Sequence, residues 1–350
     1  MRTKSIIIYT VVLLFTISCQ KNETNPQEDN KFGKGGVYII NEGNFSSANA
    51  SLTYYNPLTD TIINDVFYKA NNVPLGDVAQ YMCFFEDKAF ITVNNSGTIY
   101  SVKSSDCSYI GSLTNLVSPR SILIVNKEKA YVSDLNSGSL TIFNPETMVI
   151  TGTINIGKST EAMVLHNNKV YVSNWSSYYQ TKLNNTVMVI DPSNDLVIDS
   201  IIVGIEPQSM EIDKIGNLWI LCSGGYSGDE YPSLWKINTI EDNVISKYTF
   251  TEISSSPEDL CINNSRDTLF FRNGDVYAMS ILDESIPETA LIPSDGNTLY
   301  SLAISPENEV YITDALDYTR NGDVYRYTSK GELITSFKAG IIPGQVVFYE

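Results

Sequence analysis

One phrase recurs seven times along this 350-residue chain: a small or apolar residue, an aromatic, alternating apolar residues and then a polar turn. It reads Val37-Tyr38-Ile39-Ile40, Ala89-Phe90-Ile91-Thr92, Ala130-Tyr131-Val132-Ser133, Val170-Tyr171-Val172-Ser173, Leu218-Trp219-Ile220-Leu221, Leu269-Phe270-Phe271-Arg272 and Val310-Tyr311-Ile312-Thr313. The aromatic anchors stand 40 to 52 residues apart. A period of that size marks a repeat architecture, because one such unit cannot bury its own apolar face. Alternation identifies each phrase as a strand, and no segment sustains a 3.6-residue apolar period. Helices should be nearly absent.

Each unit supplies further strands. Leu52-Thr53-Tyr54-Tyr55-Asn56-Pro57 and the runs 140–145 and 187–192 end in Asn-Pro or Asp-Pro, which mark turns. A third run follows, as at 149–156 and 197–203. A fourth often begins with proline, as at 119–125, 207–213 and 257–263. Four short strands per unit predict propeller blades. The chain starts on a second strand at Val37 and finishes on Gly344-Gln345-Val346-Val347-Phe348-Tyr349, which matches an innermost strand. The predicted fold is all-β: a seven-bladed β-propeller over residues 36–350, closed by pairing of the C-terminal inner strand with the N-terminal blade. Such closure leaves no free edge at the seam.

Charge and rare residues exclude several functions. Lys and Arg total 23 against 40 Asp and Glu, a net charge of −17, the wrong sign for a nucleic-acid footprint. The single histidine, His166, rules out sites that need two imidazoles. It ends an inner strand at the Asn167-Asn168 turn and is expected to be structural. Asp314, Asp317, Asn321 and Asp323 lack the glycine and terminal glutamate of an EF-hand loop. No metal, cofactor or nucleophile motif is recognisable, so a protein without catalysis is expected. Cys83, Cys107, Cys222 and Cys261 are scattered without a CxxC, which favours small hydrophobes over bridges.

The amino terminus reads as an address. Arg2 and Lys4 precede an uncharged run that ends at Ser18, just before Cys19. Its unbroken apolar part, 6–17, is too short to span a bilayer, which takes about 20 residues. Residues 1–18 are therefore expected to be a signal peptide. The polar stretch 19–35 cannot bury a core and is expected to be a flexible tether.

Loops between second and third strands share one propeller face with the crossings between blades. Three are tight (94–97, 134–138 and 272–275) and four are long (41–51, 174–185, 223–233 and 314–323). The long ones carry Phe45, Trp175, Tyr178, Tyr179, Tyr226, Tyr231 and Tyr318, with Asn, Asp and Ser between them. Aromatics of that kind suit a shallow surface for an organic ligand or a sugar, or else they cap neighbouring blades. Three residues after each anchor stand Asn41, Val93, Asp134, Asn174, Cys222, Asn273 and Asp314. The polar members, among them Asn41, Asp134, Asn174 and Asp314, either line the channel mouth for a ligand or serve turn chemistry.

Two resemblances follow from these residues. The unit 170–203, with Val-Tyr-Val-Ser-Asn, Thr-Val-Met-Val-Ile-Asp-Pro and Ile-Ile-Val-Gly, resembles the YncE-like surface-layer propellers. Val37-Tyr38-Ile39-Ile40-Asn41-Glu42-Gly43-Asn44-Phe45, Asn49-Ala50-Ser51-Leu52-Thr53-Tyr54-Tyr55 and Leu75-Gly76-Asp77-Val78-Ala79-Gln80 resemble the BtuG-type propeller lipoproteins of Bacteroidetes. Phe15-Thr16-Ile17-Ser18-Cys19 resembles a lipobox, with Thr16 where leucine is usual. The resemblance implies lipidation at Cys19, surface exposure on the outer membrane, and contact with the membrane only through that anchor. It implies capture of cobalamin or a related corrinoid, and transfer to a TonB-dependent outer-membrane transporter. Asn41, Glu42, Asn44, Phe45, Asp77 and Gln80 become ligand candidates through it, beside those from the loops. A glycan or another protein as the ligand stays open.

Overall fold

The computed structural model describes residues 32–178 and 180–350. The expected signal peptide, Cys19, most of the tether and Tyr179 lie outside them. Each aromatic phrase forms the second strand of a sheet, as its alternation dictates: Gly36–Asn41, Lys88–Val93, Lys129–Asp134, Lys169–Ser173, Asn217–Cys222, Thr268–Asn273 and Val310–Asp314. Seven antiparallel sheets result, one per phrase, in the order of a seven-bladed β-propeller. One short helix, Val66–Asn71, follows the first blade and buries Val66 and Phe67.

The seam closes as expected. Pro343–Tyr349 is the inner strand of the first blade, pairing Gly36 with Tyr349, Tyr38 with Val347 and Ile40 with Gln345. The sixth blade departs from the expectation of four strands. It holds only Glu258–Ile262, Thr268–Asn273 and Asp275–Ser280, and a single bridge from Val276 to Ile292 stands where an outer strand would run. Pro287 and Pro293 flank that segment, and proline cannot donate to a ladder.

Seven hydrophobic clusters lie between neighbouring blades. Tyr131, Leu140, Ile142 and Ile154 of the third blade, for example, pack on Val170, Val172 and Ile190 of the fourth. The cluster at the seam joins Tyr311, Val324 and Phe337 of the seventh blade to Val37, Ile39 and Tyr55 of the first. All seven anchors are buried. The Tyr38, Tyr131 and Tyr171 hydroxyls reach into the next blade. Tyr171 donates to Asp242 at 2.7 Å, and Lys169 donates to the same carboxylate at 2.6 Å. Tyr131 and Lys129 hold Asp195 in the same way, so a Lys-x-Tyr phrase pins the following blade's outer turn. Cys83, Cys107, Cys222 and Cys261 are unpaired, and Cys107 and Cys222 are buried hydrophobes.

Candidate functional site

Inner strands set the channel mouth. Ala79, Pro119, Pro207, Leu299 and Pro343 each pair with the residue three after an anchor: Val93, Asp134, Cys222, Asp314 and Asn41. In each case the ladder slips immediately afterwards, and a bulge of this kind re-aims the next side chain. Gln80, Arg120, Gln208 and Tyr300 follow those positions and line the mouth, joined by Glu161 and Glu258 from the fourth and sixth blades. The residues before three of these strands, Val78, Glu206 and Ile342, have φ of 59°, 55° and 53°. Left-handed backbone at a β-branched residue is strained by roughly 1–3 kcal/mol, and such strain gathers at working sites.

The first blade has no side chain to contribute, since its place is taken by Gly344. A Cβ there would stand 2.4 Å from Glu42 Oε1, so the glycine makes room for Glu42 to complete the ring.

A hydrogen-bonded arc runs from the seventh blade to the fourth. Tyr300 donates to Glu42 Oε2 at 3.1 Å, and Gln80 Nε2 donates to Oε1 at 3.4 Å. Arg120 Nη1 donates to Gln80 Oε1 at 2.7 Å, while its Nε and Nη2 grip Glu161 at 2.7–2.9 Å. The Arg120 guanidinium lies 5.8 Å from the Trp175 ring centre. Arg272 continues the ring in the sixth blade. It donates to Asp259 at 3.0 Å, to Glu258, and to the Leu299 and Tyr300 carbonyls at 2.9 Å.

The arc is open beside the fifth blade. There the mouth, a cavity of about 290 Å³, meets a cleft of about 570 Å³. Trp175, Gln208 and Glu258 line both, and Glu206, Tyr226 and Ile253 line the cleft alone.

Four carboxylates at the mouth (Glu42, Glu161, Glu258 and Asp259) face two guanidiniums, so the funnel keeps a negative surplus. Burial pushes the Glu42 carboxyl up, against the pull of Arg120, Tyr300 and Gln80. Burial likewise raises Asp259 to about 6, outweighing Arg272. Burial opposes the charge on Arg120, but Glu161 wins and holds it above its ordinary range. Neutral amides and carboxylates fixed in this way can accept and donate hydrogen bonds at known positions without first reorganising.

The residues expected from sequence separate into two sets. Asn41, Asp134, Asn174 and Asp314 are buried and belong to the turns. Asn41 donates to Ser51 and Thr53, Asp134 accepts from the backbone of Ser118, Asn136 and Ser137, and Asn174 spans Ser159 and Thr186. Asp314 caps Thr298 and Leu316, although its Oδ2 is buried without a partner. The ligand reading of these four yields to turn chemistry. Glu42, Gln80 and Trp175 do reach the mouth. Asn44 donates to the Tyr318 carbonyl at 2.6 Å and Asp77 accepts from Asn95, so both tie rim loops together. Asp317 and Asp323 pair with Arg320 and Lys338.

The exposed aromatics form two groups across the ring. Tyr318 meets Tyr300 edge-on at 5.9 Å, near Asn44 and the 73% exposed Phe45. Opposite, Trp175 and the 99% exposed Tyr226 wall the cleft. Tyr178 and Tyr231 are exposed on the same two loops as Trp175 and Tyr226 but line neither cavity. Sequence reasoning missed Arg120, Glu161, Glu206, Gln208, Glu258, Asp259, Arg272 and Tyr300. A signal was present for some of them: the residue after the strand-opening proline.

One carboxylate lies deeper. Glu211 stands two residues beyond Ser209 on the fifth inner strand, and burial raises it from 4.5 to about 8 against a weaker pull from Arg266. The folded protein thus keeps a proton that the unfolded chain releases. Stability from this group is intact below pH 4.5 and is lost as pH rises towards 8. Glu211→Gln removes that loss. The variant should match the parent in urea denaturation at pH 4.5 and exceed it by about 5 kcal/mol at pH 9. A constant difference across that range would contradict the assignment.

Comparison with known proteins places these features in a family. Residues 35–344 match the sequence profile described as a domain of unknown function, DUF5074. No curated protein sequence matches significantly. A quinonprotein alcohol dehydrogenase-like protein from Bacteroides thetaiotaomicron superposes with a TM-score of 0.71 at 15% identity, over 91% of this chain and 79% of the other. A putative 6-phosphogluconolactonase from Bacteroides uniformis gives 0.65 at 12%, over 89% and 98%. Apo AztD from Citrobacter koseri gives 0.57 at 11%, over 90% and 98%. At such identities the likeness is one of fold.

Proposed function

The chain belongs to the DUF5074 family, and on that premise we propose that it is a surface capture protein for a corrinoid such as cobalamin. In this reading Cys19 carries the lipid anchor in the outer membrane. The ligand is held without turnover and handed to a TonB-dependent transporter. One observation carries the proposal: two aromatic groups, Trp175 with Tyr226 and Tyr300 with Tyr318, flank a floor of fixed amides and carboxylates. A corrinoid offers the matching chemistry, a broad apolar macrocycle with a fringe of primary amides. Its ring would lean on the aromatics while the amides pair with Gln80, Gln208 and Glu258.

Titration calorimetry of the full chain with cyanocobalamin should give a saturable complex of micromolar affinity or better. Trp175→Ala with Tyr226→Ala should weaken it at least tenfold. No heat at micromolar protein would sink the corrinoid reading. Binding of a member of a glycan panel instead would assign the same face to a sugar.

A further inference from the structure

Below the mouth, the inner strands of the fifth and sixth blades carry a descending series of carboxylates. Glu258 and Asp259 stand at the top of the sixth inner strand, and Glu211 lies on the neighbouring fifth. Ser209 and Asp259 line the mouth. Side chains two residues apart share a strand face, so Glu211 and Cys261 sit one step below them, roughly 7 Å deeper. Arg272 pairs the upper two carboxylates. Among the described residues no side chain donates a hydrogen bond to Glu211. The groups around it are the Tyr81 hydroxyl, the Cys261 thiol and Arg266, with Asp259 above. Burial keeps that hydroxyl and that thiol protonated. Glu211 is only partly buried, and it shares a strand face with Ser209, which lines the mouth. The acid-rich funnel above focuses positive charge toward it.

We propose that the axial channel is a binding site of its own, in which a primary ammonium group descends past the mouth and pairs with Glu211. One carboxylate, one hydroxyl and one thiol are too few hard ligands for Ca²⁺, which takes six to eight oxygens. They suit a compact cation with N–H donors. Near neutral pH, Glu211 must give its proton to solvent as the ammonium arrives, so binding exchanges one cation for one proton.

Butylammonium chloride is the probe, titrated into the full chain with butanol as its neutral counterpart. At pH 7, heats in two buffers of different ionisation enthalpy should report nearly one proton released per ammonium bound. Affinity should rise about tenfold from pH 7 to pH 9 as the carboxylate ionises. Glu211→Gln should remove both the binding and the proton release, and butanol should not bind. Failure of butylammonium to saturate at either pH would overturn the proposal. So would unchanged binding in Glu211→Gln, which would move the cation to the mouth carboxylates. The proposal stands apart from the corrinoid reading, since cyanocobalamin binding and butylammonium binding can fail separately.

Discussion

A chain that stops at Ile342 should lose its cooperative melting transition. The missing strand forms the whole inner side of the first blade, pairing with Gly36–Asn41. Without it Tyr38, Ile39 and Ile40, now fully buried, would line an open edge. Two ties across the seam would also go. The Gln345 side chain accepts the Met82 N–H at 2.8 Å, and Tyr349 stacks on Phe84 at 4.6 Å. Val346 is buried and contributes roughly 1.5–3 kcal/mol, and the half-buried Val347, Phe348 and Tyr349 each add a part of that. Their sum reaches the lower end of the entire stability of an ordinary domain, about 5–15 kcal/mol. Circular dichroism melting would show a broad, shallow decline in place of a sharp step. A truncated chain that melted cooperatively within a few degrees of the parent would refute ring closure as the source of stability.

The second large effect is expected at Arg272→Ala, with a cost of about 2–3 kcal/mol, part of it from the two backbone carbonyls left without a donor. Arg272 is 11% exposed and serves four acceptors: two carboxylates and two backbone carbonyls. Its removal leaves Glu258 and Asp259 side by side at the mouth, 40% and 30% exposed, without a counter-charge. The cost should be smaller at pH 5 than at pH 8, because Asp259 already holds its proton below about 6 and would hold it more firmly without the arginine. Adding Glu258→Gln and Asp259→Asn should recover part of the loss. By contrast, Lys127 pairs with Glu86 at the surface and is 74% exposed, so Lys127→Ala should leave the urea midpoint essentially unchanged. Urea midpoints measured at the two pH values distinguish these cases. A cost below 1 kcal/mol at both would show that the arginine does not hold the mouth together.

The channel-mouth arrangement explains why the site was only partly legible in sequence. The position three after each anchor was visible because the phrase repeats, and its polar residues invited a ligand role. Asn41, Asp134 and Asn174 are instead consumed by the backbone donors and acceptors that every propeller turn must satisfy. Their strand partners open the inner strands, and the next side chain is the one delivered to the channel. The bulge that turns it inward is a feature of pairing, so Arg120 and Gln208 looked like ordinary surface residues on half-buried strands. Glu42 stood out in the sequence only through the family resemblance, which says nothing of its placement. It fills the mouth because Gly344, 302 positions away, leaves the space.

What sequence alone settles here is periodic and local: seven aromatic strands, the turns that end them, a chain beginning mid-blade and finishing on the missing strand, and loops of unequal length. Those follow from side-chain alternation and turn preferences, which act between neighbours and therefore leave a mark in every unit. Tertiary structure decided which side chains converge, that Trp175 and Tyr226 face Tyr300 and Tyr318 across an acidic funnel, and that Glu211 stands beneath it. Those facts depend on circular closure and on single-residue slips in strand register. Both arise between segments far apart in the chain, where no local pattern can record them.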